Sequence, residues 1–300
     1  MATTLDITTN YIGEVAGGYI AAMIKESNTL SDNLVTVLPN IVSTTYLRKI
    51  ETEDSFVDYV CGWTPSGSII LSEYSITPKK VMWNSELCKE DFRQLWTAKE
   101  MGFSAHNDNL PATEQAAILL EMGKVVARKI DVDIWEGDNT AGRFDGLIPQ
   151  LLLDATVIDV ATPTTINDSN VEAELADFID AIPDAVLGAS DLILGVSTNV
   201  ARALRKKQGA FARSNGTFEN PSEFGFNGYT LTEIKGLNAN TMVAYAKSNV
   251  TFVTGLLADH NEIKVKDMDE TDLSGTVRTK IVFTGAIGYA YGAEIVLYRG

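Results

Sequence analysis

Few residues in this chain could do chemistry. Histidine occurs only as His106 and His260, and cysteine only as Cys61 and Cys88. Ser–His or Cys–His catalysis needs a nucleophile beside an imidazole. Both histidines sit in polar stretches with no nucleophile elbow and no Cys-containing signature, so they read as surface residues. The spacing of these four residues does not suit zinc, and neither glycine-rich phosphate loop is present. One candidate is left, the run Asp131-x-Asp133-x-x-Glu136-x-Asp138. Its carboxylates could support metal-assisted hydrolysis through Asp131, Asp133 and Glu136. A calcium loop of the EF-hand type needs Gly at its sixth position and Glu at its twelfth. Here those positions hold Glu136 and Gly142. The run closes a helical stretch and reads as a solvated face. No cofactor is expected, and the chain is not expected to be an enzyme.

The carboxylates lie at the end of the stretch that organises the chain. Asn107, Asp108 and Asn109 precede Pro111, and Glu114 follows in the first turn, a helix start with acceptors for free N–H groups and an acid at the positive dipole end. Apolar residues then recur at Ile118, Leu119, Met122, Val125, Val126, Ile130, Ile134 and Trp135. Those intervals keep one face apolar and predict a helix over 111–137, roughly 40 Å long at 1.5 Å per residue. Gly137 suits its C-terminal end. A turn-rich run, Asp138 to Pro149, follows.

Composition bounds the rest. The chain has 300 residues, 45% hydrophobic and 21% charged, which suits an ordered protein of one large or two smaller domains. Its net charge is −16. Such a surface repels nucleic acid in general, because phosphate binding needs clustered Lys and Arg. The N-terminus lacks the basic and apolar regions of a signal peptide. No apolar run reaches the ~18 residues of a transmembrane helix. The cysteines form no disulfide framework, which suits a reducing cytoplasm.

Taken in order, Ile12, Val15, Tyr19, Ile20, Met23 and Ile24 make a helical stripe weakened by Gly13, Gly17 and Gly18. Residues 46–87 turn to β character. Phe56 to Val60, Ile69 to Ile76 and Val81 to Trp83 form apolar runs, with a Gly/Pro turn around Trp63. This ribbon has too few apolar residues for a core of its own, so it must lie on something else. With its tip near Pro65, Cys61 and Cys88 fall roughly 50 Å apart at about 3.3 Å per residue. A disulfide needs Cα atoms within about 7 Å, so none is expected between them. A helix is expected over 90–101. Residues 151–161 read as a strand, and Ser169-x-x-Glu172 as a capping box before a helix. A short strand follows at Leu192 to Val196. Next comes a helix to Gln208, closed by Gly209, whose Arg202, Arg205, Lys206 and Lys207 complement its C-terminal end. Strand–helix–strand–helix order indicates an α/β layer. The strands after residue 229 enclose an acidic loop, Asp267, Asp269, Glu270 and Asp272.

The spine helix ending in Trp135-Glu136-Gly137-Asp138, the turn Phe144-Asp145-Gly146-Leu147-Ile148-Pro149 and the late segment Asn238 to Tyr245 together resemble the major capsid proteins of tailed bacteriophages, the Hong Kong 97-type fold. The resemblance is in the order of elements over nearly the whole chain. It implies an α+β fold with an N-terminal arm (1–45), an extended β-hairpin loop (46–88), a peripheral domain (89–150 and 257–291) and an axial domain (151–256 and 292–300). It further implies a structural subunit that assembles into pentamers and hexamers of an icosahedral virion capsid, in a host cytoplasm, around double-stranded DNA. Partners would be other copies of the chain, a portal and a separate scaffolding protein, with no membrane. Contact candidates are Ile20, Ile24, Trp63, Lys79, Lys80, Arg278 and Lys280, and the acidic loop is a candidate cation site. An encapsulin-like shell around a protein cargo is the nearest alternative.

Overall fold

The computed structural model describes residues 28–52, 56–59, 61–62, 67–88, 112–160, 162–214, 224–255, 263–268 and 275–300; the side chains of 112–123, 210–214, 263 and 267 are not described. The helices are α1 (Asn28–Ser31), α2 (Ala112–Glu136), α3 (Leu147–Leu153), α4 (Val171–Asp180), α5 (Asp184–Leu187) and α6 (Thr198–Ser214). The strands are β1 (Thr36–Leu38), β2 (Thr45–Thr52), β3 (Ile69–Ile76), β4 (Lys79–Cys88), β5 (Ile158–Asp159), β6 (Leu192–Ser197), β7 (Gly225–Phe226), β8 (Tyr229–Ile234), β9 (Thr241–Ala246), β10 (Val250–Thr254), β11 (Ile263–Asp267), β12 (Thr276–Tyr289) and β13 (Val296–Arg299).

Helix α2 is the predicted spine, and it stops where glycine was expected to stop it. The Gly137 N–H closes the last turn on the Asp133 carbonyl. Its C-terminal end brings two sheets together. Ile134 and Trp135 are wholly buried, in one cluster with Phe252, Phe283 and Ile287 from one sheet and Val243, Tyr245 and Leu297 from the other. Trp135 packs against Tyr245 with ring centroids 5.9 Å apart. Gly236 is needed here, because a Cβ at that position would come 2.4 Å from the Asp131 carbonyl oxygen.

The six-stranded sheet runs β5-β13-β9-β6-β8-β7. Period-two alternation divides β9 between two cores. Val243 and Tyr245 face the spine, while Met242 and Ala244 face a second cluster built by α4 and α6. In the other sheet, β12 is 14 residues long and receives β10, β11 and β4. β11 and β4 both pair with residues 277–281 of β12, so they flank it on opposite edges. β1 adds in parallel to β10.

Several local expectations are corrected. Residues 56–59 are not a strand; among the described residues the ribbon is β2 paired with β3. The third run, in β4, pairs with β12 along its whole length and belongs to the body sheet rather than the hairpin. Residues 151–161 are mostly not extended. Leu147, Ile148 and Leu151 are buried on helix α3, and only Ile158–Asp159 is strand. The Ser169 hydroxyl does not cap α4, whose N-cap residue is Asn170. The turn before it closes through Asn167, which accepts from the Ser169 N–H at 2.8 Å. Helix α6 passes through Gly209 and ends at Ser214. The N-terminal stripe and the expected helix over 90–101 lie outside the described residues.

Candidate assembly surfaces

The carboxylates considered for catalysis have structural partners. Asp131 is 4% exposed and accepts from the Thr29 N–H at 3.0 Å, while Thr29 accepts from the Trp135 indole at 2.7 Å. Asp133 is 2% exposed and is held by Arg143 at 2.7 Å and Lys129 at 3.2 Å. Glu136 accepts from the Asn238 N–H at 3.4 Å with Arg299 3.9 Å away; burial raises its carboxyl above the ordinary value, and Arg299 offsets this only in part. The run is therefore not a solvated face. Asp131 and Asp133 fix the spine to α1 and to the turn after it. Among the described residues, no three His, Cys, Asp or Glu side chains converge to hold a metal ion.

The ribbon has a bound face and an open face. Residues opposite one another in an antiparallel pair, and residues two apart, share a face. Leu47 and Tyr74 share theirs with Ile76, which packs on Val253 and Ala286 of the body. Gly288 leaves room for Ile76; a Cβ there would come 2.8 Å from its side chain. On the opposite face, Tyr46, Ile50, Leu71 and Ile69 are 56–71% exposed. Arg48 faces Glu73 across the strands between them. Beyond the strands, Phe56 and Tyr59 are almost fully exposed.

Two fastenings hold the ribbon to the body, and neither was visible in the sequence. The hydroxyl of Tyr291 bonds the backbone of Ile50, and Lys49 lies 4.9 Å over the Tyr291 ring. Lys79, at the start of β4, donates to the carbonyl of Asn139 at 3.0 Å. Isolated polar residues about 240 and 60 positions away carry no sequence signal of such contacts.

The other predicted contact residues are dispersed. Lys80 is exposed on β4 opposite Thr284. Arg278 bonds Glu86 at 3.2 Å. Lys280 stands opposite Lys264 on one side and Asn84 on the other, and Arg278 stands opposite Lys266. Like charges directly opposite are unfavourable in a sheet. Of the acidic loop, the Asp267 backbone pairs opposite Val277, whereas Asp269, Glu270 and Asp272 lie outside the described residues, as do Ile20, Ile24, Trp63, His106 and His260. Cys61 and Cys88 are exposed, free thiols.

No family model matches the sequence, and no curated protein matches it. Solved structures match its fold. The capsid of a native GTA particle superposes with a TM-score of 0.60 at 11% identity, over 91% of this chain and 89% of that one. The satellite phage P4 procapsid gives 0.57 at 12% identity, over 94% and 98% of the two chains. A virus-like particle from Pyrococcus furiosus gives 0.54 at 9% identity, over 95% and 98%. The chain therefore has the fold of the phage major capsid proteins, the Hong Kong 97-type fold, an α+β architecture.

Proposed function

We propose that this chain is the structural, non-catalytic subunit of an icosahedral phage capsid. Its copies form pentamers and hexamers that close around double-stranded DNA without sequence-specific binding. The observation that carries this reading is the ribbon. Its open face presents Tyr46, Ile50, Leu71 and Ile69 to solvent, on a scaffold whose solved counterparts are particle shells. An apolar face of this kind on a monomer marks a contact surface. Trp63, which lies in sequence between the two ribbon strands, and the N-terminal residues Ile20 and Ile24 complete the contacts, with Lys80 and Lys280 at their margins. Lys79 and Arg278 already have partners within the chain and contribute less. A portal and a separate scaffolding protein complete the assembly, which takes place in the host cytoplasm and yields the virion shell.

Electron microscopy of the purified protein, with and without a scaffolding partner, tests the proposal. Closed particles are expected. A protein that sediments as a monomer at high concentration under both conditions overturns it. Deleting residues 1–27 or replacing Trp63 should lower particle yield while leaving the monomer's melting unchanged. Equal damage to an assembly-blocked monomer would assign those residues to the subunit's own core. The likeness to a virus-like particle supports a second reading, a nanocompartment around protein cargo. Nuclease-protected DNA inside particles decides for the capsid, and its absence with co-purifying protein decides for the compartment.

A further inference from the structure

We propose that α4 and α6 are the two halves of a head-to-tail contact between copies of this chain, the acidic outer face of α4 on one copy seating against the basic outer face of α6 on the next. The inference rests on the capsid reading and adds to it the surfaces that close a ring.

Charge is sharply segregated along this part of the sequence. Between Arg143 and Arg202 there are ten acids and neither Lys nor Arg; from Arg202 to Arg213 there are five basic residues and no acid. Neither cluster is explained by its own helix. Asp177 and Asp180 lie in the last turn of α4, where no basic residue accompanies them and the helix dipole disfavours a carboxylate. The basic residues of α6 were expected to complement a C-terminus near Gln208. Because the helix continues to Ser214, Arg202 and Lys207 sit well before its end, where the dipole gives them no support. Arg202 also stands three and four residues from Arg205 and Lys206, a spacing at which like charges repel.

Contacts within the chain consume only part of this charge. Arg205 pairs with Glu233 at 2.7 Å, and Lys206 pairs with Asp168. Glu172, Asp177, Asp180 and Asp184 are exposed, Arg202 is exposed and Lys207 partly so. Lys207 adds its field to that of Lys206 at Asp168, and none of the other five has a side-chain partner among the described residues.

Placement supplies the geometry. Both helices pack on the same face of the six-stranded sheet, in one cluster. Helix α4 lies toward β13, where Glu174 accepts from the Tyr298 hydroxyl at 2.6 Å. Helix α6 lies toward β8 and β7, through Arg205 to Glu233 and Gln208 to the Gly225 carbonyl. The sheet order puts β13 and β8 on opposite sides of β9 and β6. One layer of the subunit therefore carries an acidic flank and a basic flank. Such a body repels a copy that meets it like flank to like flank and attracts one that meets it head to tail. A repeated heterologous contact of this kind closes into a ring when the rotation allows.

The test is charge reversal and its rescue. Asp177→Lys with Asp180→Lys makes one variant, Arg202→Glu with Lys207→Glu the second, and all four changes together the third. The quantity read is the concentration of half-assembly, by sedimentation velocity of the full chain. Each double reversal is expected to raise it about tenfold or more, and the fourfold variant to return it within about threefold of the wild type. Melting of the unassembled proteins checks that each folds. If a reversal does not fold, Asp177→Asn with Asp180→Asn replaces it, with a smaller loss expected. The proposal is overturned if both double reversals assemble like the wild type, or if the fourfold variant assembles no better than either of them. Loss only with the α6 reversal also overturns it, since that helix would then meet another polyanion, such as nucleic acid. A wild type that never assembles overturns the capsid reading as well, whereas assembly indifferent to all three variants removes this contact alone.

Discussion

Tyr291 and Ile50 are bonded twice, although 241 positions separate them: the Ile50 N–H donates to the tyrosine hydroxyl at 3.0 Å, and that hydroxyl donates to the Ile50 carbonyl at 2.8 Å. One side chain thus satisfies both backbone groups of a residue on an edge strand. Tyr291→Phe removes both bonds and keeps the ring under Lys49. Stability should fall by about 1 kcal/mol at most, because the freed groups reach water. Amide exchange in β2 and β3 should accelerate while exchange in β9 stays slow. Unchanged ribbon protection would show that Ile76 and the body cluster hold the base unaided.

Arg143 matters for a different reason. Its partner Asp133 is buried, and Lys129, the other cation beside it, is half-exposed. Arg143→Ala leaves a buried carboxylate with one mobile counter-ion and should cost about 3 kcal/mol in urea denaturation. A loss below about 1 kcal/mol would class the pair with surface salt bridges.

Two carboxylates should give pH dependences of opposite sign. Asp191 accepts from the hydroxyl and the N–H of Ser248, which hold its carboxyl below the ordinary value of 3.8. Its contribution is present above that value and is lost as pH falls through the lower folded value. Burial raises the Glu136 carboxyl above 4.5, so the native state binds the extra proton and this contribution declines as pH rises through the folded value. Denaturation between about pH 2 and 8 checks both. Against Glu136→Gln, the wild type should lose ground as pH rises above 4.5. Against Asp191→Asn, it should lose ground as pH falls below 3.8. Parallel profiles for either pair would dismiss that residue.

The acidic loop now has charges to set against it. The register places Lys264, Lys266, Arg278 and Lys280 on neighbouring strands at its base. Arg278 is shared with Glu86, so Lys264, Lys266 and Lys280 set most of the charge within one chain against Asp267, Asp269, Glu270 and Asp272. We therefore expect particles to lose thermal stability as salt rises and to be indifferent to EDTA, with the salt response reduced in Asp269→Asn with Glu270→Gln. Destabilisation by EDTA in the wild type alone would instead place a divalent cation there.

Where one periodicity ran long and its end was marked, the sequence was legible. The spine helix, 25 residues with Gly137 behind it, is the clear case. Short apolar runs were not, since Leu147 to Leu153 reads equally well as buried strand or helix. Gly209 misled because a glycine weakens a helix without ending it when the following residues continue the packing. The ribbon's extent was misjudged because β4 finds its partner some two hundred residues later, and no local pattern reveals that. The carboxylates of the spine read as solvated from the sequence because their partners Thr29 and Arg143 come from outside the helix. Asp131 and Asp133, the first two carboxylates of the candidate metal loop, instead fasten the spine to its neighbours.

The distance between β4 and β12 also has a temporal meaning. During synthesis the chain emerges from its N-terminus, and β4 leaves the ribosome long before the strand it must pair with. The ribbon waits equally for Gly288 and Tyr291. Contacts this distant in sequence form late, because loop closure must come first. A chain still on the ribosome therefore has no seated ribbon until its last strands have emerged.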